Sequence, residues 1–184
     1  MRHSEEAALI PHYEKHVEYH STITDNSVRR IYEMFSEHVD FAVNGSPSFL
    51  DLGCGTGKWL RFLVNEIPNS IGLGVDCSRN RIQKAISEGS NRINYYVGDI
   101  NDIVRTAPPS QVASAFETFE HLVDPLQVIR DLSHRSQWLV GSVPLNHAYK
   151  AHLQVYESVE DVTERLGVNV ISSDKKNAFF VKEL

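Results

Sequence analysis

The sequence has no surplus of positive charge, few cysteines and no long apolar run, and each shortage removes a class of function. With 18 Lys and Arg against 24 Asp and Glu, the formal net charge is −6. A protein that holds nucleic acid through broad phosphate contact carries a basic face, so an acidic balance argues against that partner, local basic patches aside. The two cysteines, Cys54 and Cys77, stand at neither metal nor disulfide spacing and read as reduced thiols of a cytoplasmic protein. No secretory-type leader and no run of about 18 apolar residues is present, so no membrane span is expected. Internal repeats and low-complexity tracts are absent as well. What remains is a chain of 184 residues, a length suited to one domain that buries about 70% of its unfolded surface.

Glycine is sparse too, yet three glycines alternate in Phe49-Leu50-Asp51-Leu52-Gly53-Cys54-Gly55-Thr56-Gly57, directly before the helix-like Lys58-Trp59-Leu60-Arg61-Phe62-Leu63-Val64. This reads as strand, tight loop and helix. Without a Cβ the loop can take up positive φ and bring its backbone against a ligand, while the first N–H groups of the helix point into the same space. The ligand expected there is a nucleoside-like cofactor. The dinucleotide fingerprint wants G-x-G-x-x-G; the spacing here, G-x-G-x-G after Asp51, favours S-adenosylmethionine over a nicotinamide dinucleotide.

Asp51 to Gly57 resembles the first motif of class I S-adenosylmethionine-dependent methyltransferases, and further segments follow in that family's order. In Gly72-Leu73-Gly74-Val75-Asp76 an apolar strand ends in a carboxylate, and Ile93-Asn94-Tyr95-Tyr96-Val97-Gly98-Asp99-Ile100 repeats the pattern. Ala115-Phe116-Glu117-Thr118-Phe119-Glu120-His121-Leu122 is similar to the family's E-x-x-E-H-L segment after the fourth strand. The resemblance implies that Asp51, Gly53, Cys54, Gly55 and Gly57 form the cofactor loop. It also implies that Asp76, with Cys77 beside it, accepts from the ribose hydroxyls, and that Asp99 and Ile100 meet the adenine. A carboxylate suits the ribose because two vicinal hydroxyls are donors and its paired oxygens are acceptors. The acid that often opens the fourth strand is missing from Ser110-Gln111-Val112-Ala113-Ser114. Ser133-His134-Arg135-Ser136-Gln137 likewise replaces the usual lysine-proline-glycine-glycine turn.

The fold expected is α/β and Rossmann-like: a mostly parallel seven-stranded sheet with a reversed last strand and helices on both faces. Strand-like and helix-like runs alternate at 71–75, 79–88, 93–97, 112–116, 124–132 and 138–143, as right-handed parallel crossovers require. A helix over 158–166 then precedes two β-rich pieces, 168–172 and 178–181, too close for a crossover and so antiparallel. Val28, Ile31, Tyr32, Phe35 and Val39 recur at helical spacing after Thr24, a candidate N-cap, and Asn44-Gly45-Ser46-Pro47 is a turn. Residues 1–45 read as a helical arm or lid on a cofactor-binding sheet domain, 46–184. Within the arm, His12, His16 and His20 would share one face of a helix, read as solvated or lid-like rather than metal-binding.

Ligands in such a sheet lie at the topological switch point, here between strands one and four, so Gly53 and Glu117 face one crevice and Glu117 is expected among the cofactor-binding residues. The acceptor expected is a small molecule methylated on oxygen or nitrogen, and His121 is the candidate catalytic base for a hydroxyl. Glu117, Glu120 and His121, at i, i+3 and i+4, would share one side of a helical start. They resemble the metal-binding E-x-x-E-H of small-RNA 3′-terminal 2′-O-methyltransferases, where His152 or His147 would be a fourth ligand and Mg, Mn or Fe(II) the ion. Metal-free methyltransferases carry the same string, so no metal is assigned here. A metal-assisted 2′-O-methyltransferase acting on RNA 3′ ends, a non-catalytic methyltransferase-like binding subunit and a nicotinamide-dependent enzyme are the rival readings.

Overall fold

A computed structural model describes residues 5, 8–15, 25–42 and 46–184; Thr24, His16, Tyr19, His20, Asn44 and Gly45 lie outside them. In chain order the elements are α1 (Ile10–Lys15), α2 (Asp25–Ser36), β1 (Ser48–Leu52), α3 (Lys58–Glu66), β2 (Ile71–Asp76), α4 (Arg79–Ser87), β3 (Ile93–Val97) and α5 (Ile100–Thr106). There follow β4 (Ser110–Phe116), a 3₁₀ turn (Phe119–His121), α6 (Pro125–Leu132), β5 (Ser136–Pro144), α7 (Val159–Leu166), β6 (Asn169–Ser173) and β7 (Asn177–Glu183). Short polar side chains start several helices by taking up orphan N–H groups. Ser78 accepts from Arg81 N, Asp99 from Asn101 N, Asp124 from Gln127 N and Ser158 from Asp161 N.

The seven strands lie in the order β3-β2-β1-β4-β5-β7-β6. The first five are parallel to their neighbours, and β7 runs antiparallel to both β5 and β6, as the spacing of the last two pieces predicts. Strand periodicity divides the core between two faces. Leu50 and Leu52 join Ala113, Leu139 and Phe180 under α5, α6 and α7, while Phe49 joins Val112, Val140 and Val181 under α2 and α3. Each large side chain so buried contributes about 1.5–3 kcal/mol. The chain order reverses between β1 and β4, and the crevice opens there.

One element and several strand bounds depart from the sequence reading. The alternation passes over α5, whose apolar Ile100, Ile103 and Val104 span too few residues to show a period. Strand β4 begins at Ser110 rather than at 112, because Ser110 and Ser136 hydrogen-bond through their hydroxyls at 2.7 Å inside the sheet, where polar residues read as turn. Among the described residues no helix is long and apolar enough to cross a membrane.

Candidate active site

A cavity of about 720 Å³ lies at the carboxyl ends of β1, β2 and β4 and takes in Asp51, Gly53, Cys54, Gly55, Asp76, Cys77, Asp99, Ile100, Glu117 and His121. Gly57, the remaining residue of the expected set, is set back from it: it caps α3 and packs against Tyr95. Gly53 and Gly55 both have positive φ, +72° and +55°, but for different reasons. A Cβ on Gly53 would strike the Thr118 hydroxyl, whereas one on Gly55 would meet no protein atom within 4 Å. The first glycine lets the loop pack on the turn after β4; the second leaves its backbone open to a ligand.

Asp76, almost wholly buried at the end of β2, ties this loop to the next helix. Its Oδ2 accepts from Gly55 N at 2.9 Å and its Oδ1 from Ser78 N at 2.8 Å. Burial raises its pKa, and the Arg81 guanidinium, 3.9 Å from Oδ2, opposes that rise. Asp51 lies beside it, accepting from the Ser114 hydroxyl at 2.6 Å. Burial pushes the Asp51 carboxyl up to about 7, against the Ser114 hydrogen bond and with the Asp76 charge adding to the rise. Burial likewise pushes the Cys77 thiol up to about 12, so it is a neutral lining group rather than a thiolate.

The segment after β4 is not the helical start expected from its spacing. Glu117 has φ of +49°, and only Phe119–His121 coil, as one 3₁₀ turn. Thr118 fixes the reversal by donating from Oγ1 to Leu52 O and Phe116 O, both at 3.0 Å. Glu117, Glu120 and His121 therefore share no helical face. Glu117 faces the cavity, where burial, with the Asp174 charge adding, pushes it up to about 7. The Asn177 amide, turned with its nitrogen toward Glu117, donates to Oε1 at 2.9 Å. Glu120 points inward at 1% exposure, and His121 sits between, its Nδ1 2.8 Å from Ala151 O.

Residues from distant parts of the chain complete the lining. Leu9, Ile10 and Tyr13 come from α1 and its approach, and Asn177 and Phe179 from β7. The Tyr13 ring lies 5.3 Å from that of His121 and carries the Arg81 guanidinium at 5.4 Å. Glu14 accepts from Arg79 N and Asn80 N at the start of α4, at 2.7 and 3.2 Å. Of these, Tyr13 stands in the segment read as a lid; Asn177 and Phe179 carry no motif, and only strand pairing brings them in. The stretch Pro144 to Tyr156 does not line the cavity. It backs His121 instead, with Ala151 and Tyr156 buried.

The sheet order and the crevice are those of class I methyltransferases, and solved structures agree. A magnesium protoporphyrin IX methyltransferase from Synechocystis PCC 6803, solved with bound S-adenosylmethionine, superimposes with a TM-score of 0.68 at 12% identity, over 96% of this chain and 95% of that one. The DhpI complex with S-adenosylhomocysteine gives 0.72 at 14% identity, over 98% and 97%. Residues 27–174 match the methyltransferase-domain family, and the chain belongs to it, a methyltransferase of the S-adenosylmethionine-dependent class. A tRNA (guanine-N(7)-)-methyltransferase of Porphyromonas gingivalis (strain ATCC BAA-308 / W83) is 29% identical over 86 residues. That match spans 45% of this chain and 35% of the relative, about a third of its length.

Proposed function

We propose that the chain transfers a methyl group to an oxygen or nitrogen of a small-molecule acceptor, held in the same cavity as the cofactor. The observation that carries this reading is the continuity of that cavity. One end has the open backbone of Gly55 with the carboxylates Asp51, Asp76 and Asp99; the other has Val28, Ile31, Phe179, Glu117 and Asn177. The first set fits the cofactor, because a cradle with no side chain at Gly55 admits a ligand against the main chain and carboxylates accept from its ammonium and ribose hydroxyls. Asp76 and Cys77 take the ribose, Asp99 and Ile100 the adenine, and Asp51 with Gly53, Cys54 and Gly55 the amino-acid end, while Gly57 shapes the loop from outside the cavity.

The cofactor supplies an electrophilic methyl group, so the protein has to orient the acceptor, exclude water and receive a proton. His121 is the base in this reading, with its Nδ1 held on Ala151 O so that Nε2 carries the lone pair. Tyr13 and the apolar residues of α1 cover the site, making residues 1–45 an arm with a lid at α1 on a sheet domain of 46–184. The net charge of −6 favours a small acceptor over RNA. Thermal-shift and calorimetric titrations with S-adenosylhomocysteine and with NAD test the cofactor set. Binding of the first alone, lost in a folded Gly55→Val variant, is expected. Normal binding by that variant would remove the loop from the cradle, and a full acceptor panel without methyl transfer would favour a non-catalytic binding subunit.

A further inference from the structure

The two edges of the sheet are built differently. Strand β6, at one edge, is interrupted by a shift of register between Val170 and Ser172 and ends in the exposed Ser172 and Ser173. Strand β3, at the other, is Ile93-Asn94-Tyr95-Tyr96-Val97, in unbroken register with β2 and with no proline and no charge. An open edge is a template for another strand, and proteins blunt it with bulges, prolines and charges. The edge at β3 has none of these. Exposed apolar surface gathers at the same place. Of the seven large apolar side chains exposed among the described residues, Ile71, Ile86, Tyr96 and Val97 stand on β2, on β3 and on α4, which packs beside β3, at 41–60% exposure.

The ladder shows which main-chain groups of β3 are open. Gly72 N donates to Arg92 O at 2.9 Å and Gly98 N to Asp76 O at 3.1 Å, so Arg92, Asn94, Tyr96 and Gly98 face β2. Ile93, Tyr95 and Val97 therefore turn their N–H and C=O groups outward. Ile93 N donates to Ser90 O at 3.0 Å. Among the described residues the N–H and C=O groups of Tyr95 and Val97 and the C=O of Ile93 have no partner.

We propose that β3 pairs antiparallel with β3 of a second copy of this chain, about a two-fold axis at Tyr95, joining the two sheets edge to edge. In that register the strand is its own complement. Tyr95 N donates to Tyr95 O of the second copy and the reverse, and Val97 N donates to Ile93 O in both directions, so the one outward N–H already held by Ser90 is not required. The exposed Val97 is covered against Ile93, and Asn94 stands opposite Tyr96. Arg92, at the start of the strand, falls beside Gly98 and Asp99 of the second copy, so opposite charges adjoin at both ends of the joint. A parallel pairing would set Arg92 against Arg92 and would not close. The joint is separated from the crevice at β1 and β4 by β2, so pairing leaves the cavity open. It goes beyond the methyl-transfer reading and does not depend on it.

The test is the molar mass of the full-length protein by light scattering and sedimentation equilibrium. A dimer is expected. Asn94 and Tyr96 are exposed and do not line the methyl-transfer cavity, so charges placed there probe the joint and leave the site and the core alone. Asn94→Lys combined with Tyr96→Lys sets lysine opposite lysine twice and should weaken self-association about tenfold or more. Asn94→Glu combined with Tyr96→Lys sets opposite charges in the same register and should restore it. A monomeric wild-type protein, or a double-lysine variant that dimerises as tightly as the wild type, would overturn the pairing. Failure of the glutamate–lysine variant to dimerise would overturn the register about Tyr95. S-adenosylhomocysteine affinity, measured by calorimetry on the same samples, should be unchanged in both variants; cofactor binding by a monomeric wild-type protein removes the second copy and leaves the methyltransferase reading standing.

Discussion

Asp76 shows how one side chain can serve both a fold and a ligand. Its oxygens already accept from Gly55 N and Ser78 N, yet each keeps a further lone pair toward the cavity. Asp76→Ala should weaken S-adenosylhomocysteine by about 1.5–3 kcal/mol, the usual range for hydrogen bonds to a charged group. Calorimetry showing wild-type affinity in a folded variant would remove Asp76 from the ribose site. Asp51 gives a pH dependence. Its pKa rises from the ordinary carboxylate value of about 4 to about 7 in the fold. The favourable contribution of this raised pKa to stability is full below about pH 4 and is lost as pH climbs through 7. A cofactor ammonium selects the ionised carboxylate, so the sign for binding is opposite. S-adenosylhomocysteine affinity should climb about tenfold per pH unit from 5.5 to 7 and then level. Asp51→Asn should lose the part of that slope centred near neutral pH, and an unchanged slope in calorimetric titrations would count against the contact.

Among the elements, α1 is held to the start of α4 chiefly through Glu14, with the Tyr13 ring against Arg81 and His121 beside it. Glu14 caps α4 across the cavity mouth, and a carboxylate at a helix start is worth about 1 kcal/mol. Glu14→Ala should therefore loosen the lid without unfolding the sheet, seen as faster hydrogen exchange over residues 8–15. Deleting residues 1 to 22 should reduce acceptor turnover far more than cofactor affinity, because the glycine loop and its carboxylates begin at Asp51. Undiminished turnover by the truncated protein would show that the arm takes no part in the site. The strap 145–156 acts from the opposite side: it leaves the cavity open and fixes His121 through Ala151 O. Helix α5 is the element that sequence periodicity passes over, although its cap, Asp99, is legible as a strand-end carboxylate.

At the scale of the whole molecule, the acidic balance bears on the partner. A net charge of −6 gives little drive for counterion release from a polyanion. Fluorescence anisotropy with a short single-stranded RNA should show no saturable binding at about physiological salt; tight, salt-sensitive binding would move the acceptor class to nucleic acid. The sequence by itself determined the strand–loop–helix at Gly53 to Gly57, the carboxylates at the ends of β2 and β3, and the antiparallel close of the sheet. These follow from local periodicity, from glycine's access to positive φ and from connection length. Only the tertiary structure decided that Asn177 and Phe179 reach the cavity, that Tyr13 lies over His121, and that Glu120 turns inward while Glu117 faces the cavity. Strand pairing across β4, β5 and β7 brings the first pair in, because hydrogen-bonded neighbours need not be neighbours in sequence. The last division depends on the positive φ of Glu117 and on Thr118 holding Leu52 O, a backbone reversal that residue spacing does not encode.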